Sequence, residues 1–148
     1  QMNGREQVQS CAAEAQGITV KEQSYGYEVI LPHLMPKRNH RNHTVFLLEP
    51  LTYALKEFTA AHPICRLEYA LIWFIYEYTE DTPIHCIRDY DNIETKEVLD
   101  IINSFFLLDD GGAFCELHYS TRRGNRNGTR VIISSDIGLV SCQKINGN

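Results

Sequence analysis

The sequence predicts an α+β protein, a mixed β-sheet with two main helices, and three observations carry that expectation. β-prone pieces stand toward both ends of the chain, at residues 18–20 and 27–31 and again at 113–120 and 130–134, rich in the side chains that suit a pleated, half-buried surface. Between them, two stretches repeat apolar residues at helical spacing: Leu51, Leu55, Phe58 and Ala61 in one, Val98, Ile101, Ile102 and Phe105 in the other. Each would bury one stripe. The chain has 148 residues, 43% of them hydrophobic, which is enough for one domain with a real core.

Residues 1–16 read as a polar arm, residues 17–136 as the single domain and residues 137–148 as a patternless tail. The first two strands are joined by the turn Gln23-Ser24-Tyr25-Gly26 and form a hairpin. Pro32 and Pro36 end the second strand, the basic run from Lys37 to His43 reads as a solvated loop with its two histidines, and Thr44-Val45-Phe46-Leu47-Leu48 reads as a further β-prone piece. Pro50 suits the first turn of the first helix, which Pro63 stops. Residues 65–78 fit two patterns, since Leu67, Ala70, Leu71, Phe74 and Ile75 have helical spacing while the wealth of Ile, Trp, Phe and Tyr suits a long buried strand. Periodicity alone does not decide. After a turn at Pro83 the second helix is expected over residues 93–106, and residues 113–120 and 130–134 form a second hairpin with a basic, Gly- and Asn-rich tip.

The net charge of -5 speaks against a generally basic nucleic-acid coat, yet the signs are separated along the chain. Acids gather between Glu77 and Asp110, and bases gather in Lys37-Arg38-Asn39-His40-Arg41 and in the run holding Arg122, Arg123, Arg126 and Arg130. The five cysteines are widely spaced with no Cys-x-x-Cys pair, so neither a disulfide framework nor a zinc ribbon is expected, and a reducing cytoplasm is. No apolar run approaches the roughly 20 residues that span a bilayer.

The chemistry is expected in the acidic segment. Asp89 and Asp91 stand two apart, and in an extended chain such residues point to one face. Carboxylates that converge repel each other unless a cation sits between them, and hard oxygen ligands suit magnesium or manganese. The same residues have an ordinary role available: Asp91-Asn92-Ile93-Glu94 has the form of a capping box, and Asp109-Asp110-Gly111-Gly112 is a usual way to leave a helix.

The order of these elements, with Asp89-Tyr90-Asp91-Asn92, then Lys96 and Val98-Leu99-Asp100, then Leu107-Leu108-Asp109-Asp110, resembles the RusA family of Holliday-junction resolvases over about residues 27–134. The resemblance implies a small homodimeric α+β endonuclease in which Asp89, Asp91 and Asp110, perhaps joined by Asp109, bind magnesium and Lys96 assists. It also implies that residues 65–78 form a strand. The chain departs from the pattern at Thr95, which stands where the family has its helix lysine, so that Lys96 is displaced about 100° around the helix. From Leu31-Pro32 to Asp110-Gly111-Gly112 it resembles more closely an uncharacterised family of bacterial mobile-element proteins that shares these departures.

The expected function is therefore a magnesium-dependent nuclease on branched DNA, with Lys37, Arg38, Arg41, Arg122, Arg123, Arg126 and Arg130 neutralising phosphates. The alternative is a non-catalytic DNA- or protein-binding accessory protein on the same scaffold. A winged helix fits less well, because Glu94, Glu97 and Asp100 would make its recognition helix acidic.

Overall fold

Strand β3, Ala70–Thr79, is apolar on both faces and takes an inner place in the sheet. Ala70, Ile72, Phe74, Tyr76 and Tyr78 are buried on one face, and Leu71, Trp73 and Ile75 on the other. A strand with this composition would lose that burial at an edge. The computed structural model describes residues 17–32, 35, 41–64, 66–87, 90, 93, 95–108 and 115–135, with the backbone alone for 41–46.

Among the described residues five strands form one sheet in the order β1-β2-β5-β3-β4. They are β1 (Thr19–Gln23), β2 (Gly26–Leu31), β3, β4 (Cys115–Gly124) and β5 (Gly128–Ser134), and the helices are α1 (Arg41–Ala61) and α2 (Lys96–Phe106). Strand β4 runs parallel to β3, whereas β5 is antiparallel to both β3 and β2. The sheet is mixed and the fold is α+β, as expected. The main core lies on the helix face, where Leu51 and Leu55 of α1 and Val98, Ile102 and Phe106 of α2 join Val29, Leu31, Ile72, Phe74, Val131 and Ile133. On the other face Leu71, Trp73, Ile75 and Ile132 form a smaller cluster.

The first hairpin is found as read, with Thr19 opposite Ile30 and Gln23 opposite Gly26. Gly26 has φ +149, and a Cβ there would strike the carbonyl oxygen of Ile133, so glycine is required twice over. In the turn, the Tyr25 hydroxyl donates to Glu28 at 3.1 Å, and the other oxygen of that carboxylate accepts from Arg130 at 2.8 Å. Burial, and then the Glu28 charge, push the Tyr25 phenol up from 10.0 to about 12. The unfolded chain thus releases this proton first, so its contribution to stability is complete below pH 10 and is lost as the pH rises toward about 12. Chemical denaturation across pH 9–12 should show that loss, and Tyr25→Phe should flatten it.

Two expectations are corrected. Thr44-Val45-Phe46-Leu47-Leu48 is not a strand: it lies within α1, which begins at Arg41 and carries Pro50 in its interior rather than at its start. The stripe of Leu51, Leu55 and Phe58 simply extends back through Leu47 and Leu48, which pack on the core, so continuous periodicity outweighs local β propensity. Pro50 has no N–H to give the helix ladder; the Thr52 hydroxyl makes a separate bond to the Leu48 carbonyl, one turn back, at 2.8 Å. Arg41, Asn42 and His43, read as loop, are the first residues of this helix.

The second correction concerns the late hairpin. Strands β4 and β5 do not pair with each other, because β3 lies between them. The residues linking them cross the end of β3, where the Asn127 side chain accepts a hydrogen bond from the Thr79 N–H at 3.0 Å. Gly124 makes room at this crossing, since a Cβ there would stand 2.5 Å from the Glu77 carboxyl carbon.

The ambiguous stretch at residues 65–78 is resolved as a strand over Ala70–Thr79. Helix α2 starts later than expected, at Lys96, with Thr95 as its N-cap residue. Thr95 makes no side-chain hydrogen bond to the helix start, and Asp91, which the sequence offered as the cap, lies outside the described residues. Of the cysteines described, Cys86 is exposed and Cys115 half-buried, no disulfide joins them, and burial pushes the Cys115 thiol up. No helix among the described residues is long and apolar enough to cross a membrane.

Candidate functional site

A stack of tyrosines lies on the helix face over the middle of the parallel strands β3 and β4. Tyr76 of β3 and Tyr119 of β4 lie almost parallel, 12° apart with centroids at 6.3 Å, and Tyr90 closes the group at 5.9 Å from Tyr76 and 5.4 Å from Tyr119. The Tyr90 hydroxyl accepts a bond from Thr121 at 2.9 Å. Tyr90 as a whole stays 41% exposed. Ring stacking and this hydrogen bond fix Tyr90 against the sheet. The hydroxyls of Thr95 and Tyr119 meet at 3.3 Å, so the start of α2 abuts the same stack. Lys96, the first helical residue, is exposed at this end.

The sequence singled out Asp89 and Asp91 and passed over the residue between them. Tyr90 is the described member of that segment, while Asp89, Asp91, Asp109 and Asp110 lie outside the described residues. Among the described residues no group of three or more His, Cys, Asp or Glu side chains could hold a metal ion. The flanks of the two aspartate pairs are separated: Leu108, which precedes Asp109, bonds the carbonyl of Leu67 at 2.9 Å ahead of β3, at the far end of α2 from Thr95. The 11 residues of α2 span roughly 16 Å at 1.5 Å per residue. Asp110 is two residues beyond Leu108, a reach of about 7 Å at most.

The arginines divide between the two sides of the sheet. Arg122 and Arg130 stand on the face away from the helices, Arg122 bonded to Glu77 at 3.1 Å and Arg130 to Glu28 at 2.8 Å. Arg123 is on the helix face and donates to the carbonyls of Thr79 and Thr82 at 2.9 and 2.6 Å, tying down the chain that leaves β3. Arg126 is exposed in the crossing after β4. Lys37 and Arg38 lie outside the described residues, as does the side chain of Arg41.

Tyr76 is 1% exposed and its hydroxyl has no hydrogen-bond partner within the described residues. Burial first, and then the neighbouring tyrosines Tyr119, Tyr90 and Tyr78, push its phenol far above the ordinary value. An unsatisfied buried hydroxyl costs about 1–3 kcal/mol, so Tyr76→Phe should stabilise the fold by about 1 kcal/mol, read as a raised denaturation midpoint. A loss of stability would mean that the hydroxyl has a partner beyond the described residues.

Comparison with known families adds one result. Residues 1–137 match DUF6100, a family of unknown function. The chain belongs to this family. No curated protein matches the DUF6100 chain. Among solved structures it is similar to the periplasmic domain of Helicobacter pylori MotB. One form, residues 90–256, has a TM-score of 0.46 at 14% identity, covering 91% of this chain and 90% of that one. Another, residues 97–256, has a TM-score of 0.44 at 14% identity, covering 86% and 94%.

Proposed function

We propose that this DUF6100 protein is a magnesium- or manganese-dependent endonuclease of Holliday-junction-resolvase type, acting on branched DNA as a cytoplasmic homodimer encoded by a mobile element. The observation that carries the reading is the seating of Tyr90, which fixes the residue between Asp89 and Asp91 on the helix face of the parallel pair β3 and β4, against Tyr76, Tyr119 and Thr121 and beside the first turn of α2. The element order also supports the resemblance to RusA proteins. Carboxylate oxygens fit a hard cation, so Asp89 and Asp91 would hold it, with Asp109 or Asp110 completing the set. The ion would supply polarisation of a phosphodiester and a lowered pKa for water. Tyr90 would keep the two carboxylates in place, Lys96 would lie at the edge of the site, and Arg123 and Arg126 would stand nearest the strand ends to meet phosphate.

The non-catalytic reading draws its support from the arginines: Arg122 and Arg130 are engaged by Glu77 and Glu28 on the opposite face. On that reading the protein is an accessory DNA- or protein-binding component of a mobile element. Incubating the wild type with a synthetic four-way junction, a flap and a single strand, with and without magnesium, separates the two. Magnesium-dependent cleavage of any of them supports the nuclease. Absence of cleavage of all three, with magnesium or manganese, leaves the accessory reading.

A further inference from the structure

β4 is an edge strand of 10 residues, and among the described residues it pairs only with β3. At about 3.3 Å per residue its outer side presents a row of backbone donors and acceptors roughly 33 Å long. Long edges of this kind template pairing with another chain unless proline, a bulge or a charge directed inward blunts them. Strand β4, Cys-Glu-Leu-His-Tyr-Ser-Thr-Arg-Arg-Gly, contains no proline, and its residues are half-buried or exposed, in contrast to the mostly buried β3 and β5. Leu117 is 37% exposed on it.

Its charges select a partner. Glu116 and Arg122 sit opposite Leu71 and Glu77 of β3, so both lie on the face away from the helices. Residues directly opposed across an antiparallel pair share a face. A two-fold axis that keeps the helices of both chains on one side must therefore pass through a residue of β4 rather than between residues. An axis at Ser120 sets His118 against Arg122, and an axis at His118 sets Glu116 against Ser120. An axis at Tyr119 sets Glu116 against Arg122, and symmetry repeats that pair at the other end. Opposite charges directly across a strand pair stabilise it and like charges destabilise it. Glu116 meets His118 of its own strand at 2.7 Å and Arg122 meets Glu77, yet their side chains remain 39% and 47% exposed; a carboxylate has a second oxygen to offer and a guanidinium has donors for two carboxylates.

We infer that β4 is the surface on which two copies of this chain join, antiparallel about Tyr119, to make one ten-stranded sheet sealed by Glu116 and Arg122 of each copy. This deepens the two-fold assembly of the reading above and rests on that assembly alone, not on cleavage. A single strand pair buries less than the about 1,200 Å² of a standard stable interface, so the dimer should be concentration-dependent.

Sedimentation equilibrium of the full chain from low to high micromolar concentration should show a monomer–dimer transition. Glu116→Arg places two like-charged pairs across the axis and should weaken association at least tenfold, as should Arg122→Glu. An equimolar mixture of the two variants restores both opposite pairs and should associate like the wild type. Because Arg122→Glu also faces Glu77 within its own chain and could fail to fold, hydrogen exchange of the wild type provides an independent reading: amides of residues 115–124 should become more protected as concentration rises. A wild type that stays monomeric overturns the inference. So does a dimer that is indifferent to Glu116→Arg and leaves exchange in β4 independent of concentration. Either result would leave the cleavage assay to decide the nuclease reading by itself.

Discussion

Replacing Phe74 by alanine should destabilise the fold by about 3–5 kcal/mol, enough to lower the melting temperature by about 10–15 °C in a domain of this size. Phe74 is 0% exposed on β3, and its ring meets Tyr119 of β4 at 5.9 Å and Tyr76 at 6.3 Å. Truncation therefore removes apolar contact at the junction of the parallel strands and the helix layer, and leaves a cavity that the rigid sheet cannot close. The comparison is Ile84→Ala: Ile84 is 83% exposed, and a substitution there should stay within about 0.5 kcal/mol. Denaturant titrations of both variants check the contrast. A Phe74→Ala cost no larger than that of Ile84→Ala would mean that β3 is not the centre of the core.

That centrality was not decided by the sequence pattern, which left residues 65–78 open between helix and strand until the resemblance implied a strand, and its consequence for topology could not be read locally. The run Ala70-Leu71-Ile72-Trp73-Phe74-Ile75 offers no polar face, which marks a strand covered on both sides. The β-prone stretches that became β4 and β5 were nevertheless expected to pair with each other, because neighbours in sequence usually do. Inserting β3 between them needs only a short crossing, which Gly124 and Asn127 accommodate. In the same way, the β1–β2 hairpin and the stripe of α2 were legible because both depend on local spacing. The first half of α1 was not, because Pro50 looked like a beginning and Thr44-Val45-Phe46 looked like a strand. What fixed it as helix is burial of Leu47 and Leu48 against a core that exists only once the sheet is assembled. At the candidate site the aspartates were conspicuous and Tyr90 was not. Its partners Tyr76, Tyr119 and Thr121 lie on other strands, and only their parallel alignment turns separate tyrosines into a stack.

If the proposed nuclease activity is present, Asp91→Asn should abolish magnesium-dependent junction cleavage, by more than about 100-fold, since even partners of a metal's ligands commonly account for 10–100-fold. The substitution keeps size and hydrogen-bonding capacity while removing the ligand charge, and the N-cap of α2 is Thr95, so the melting temperature should hardly move. Tyr90→Leu should behave differently. It removes the stacking on Tyr76 and Tyr119 and the bond from Thr121, so it should lower stability by about 1–2 kcal/mol through lost aromatic contact and lower cleavage by loosening Asp89 and Asp91 together. Lys96→Ala, at an exposed helix start, should cost activity least of the three. Asp110→Asn is the most informative addition, because its flank at Leu108 and the stack at Tyr90 lie toward opposite ends of α2. A loss equal to that of Asp91→Asn would require residues 109–110 to fold back toward Tyr90, or to meet the Asp89 and Asp91 of a second copy. Full activity in Asp110→Asn would confine the ligand set to the Tyr90 segment. Cleavage rates and thermal melts of the four variants, measured side by side, distinguish these outcomes, and an Asp91→Asn protein that cleaves at the wild-type rate would remove the metal role from Asp91.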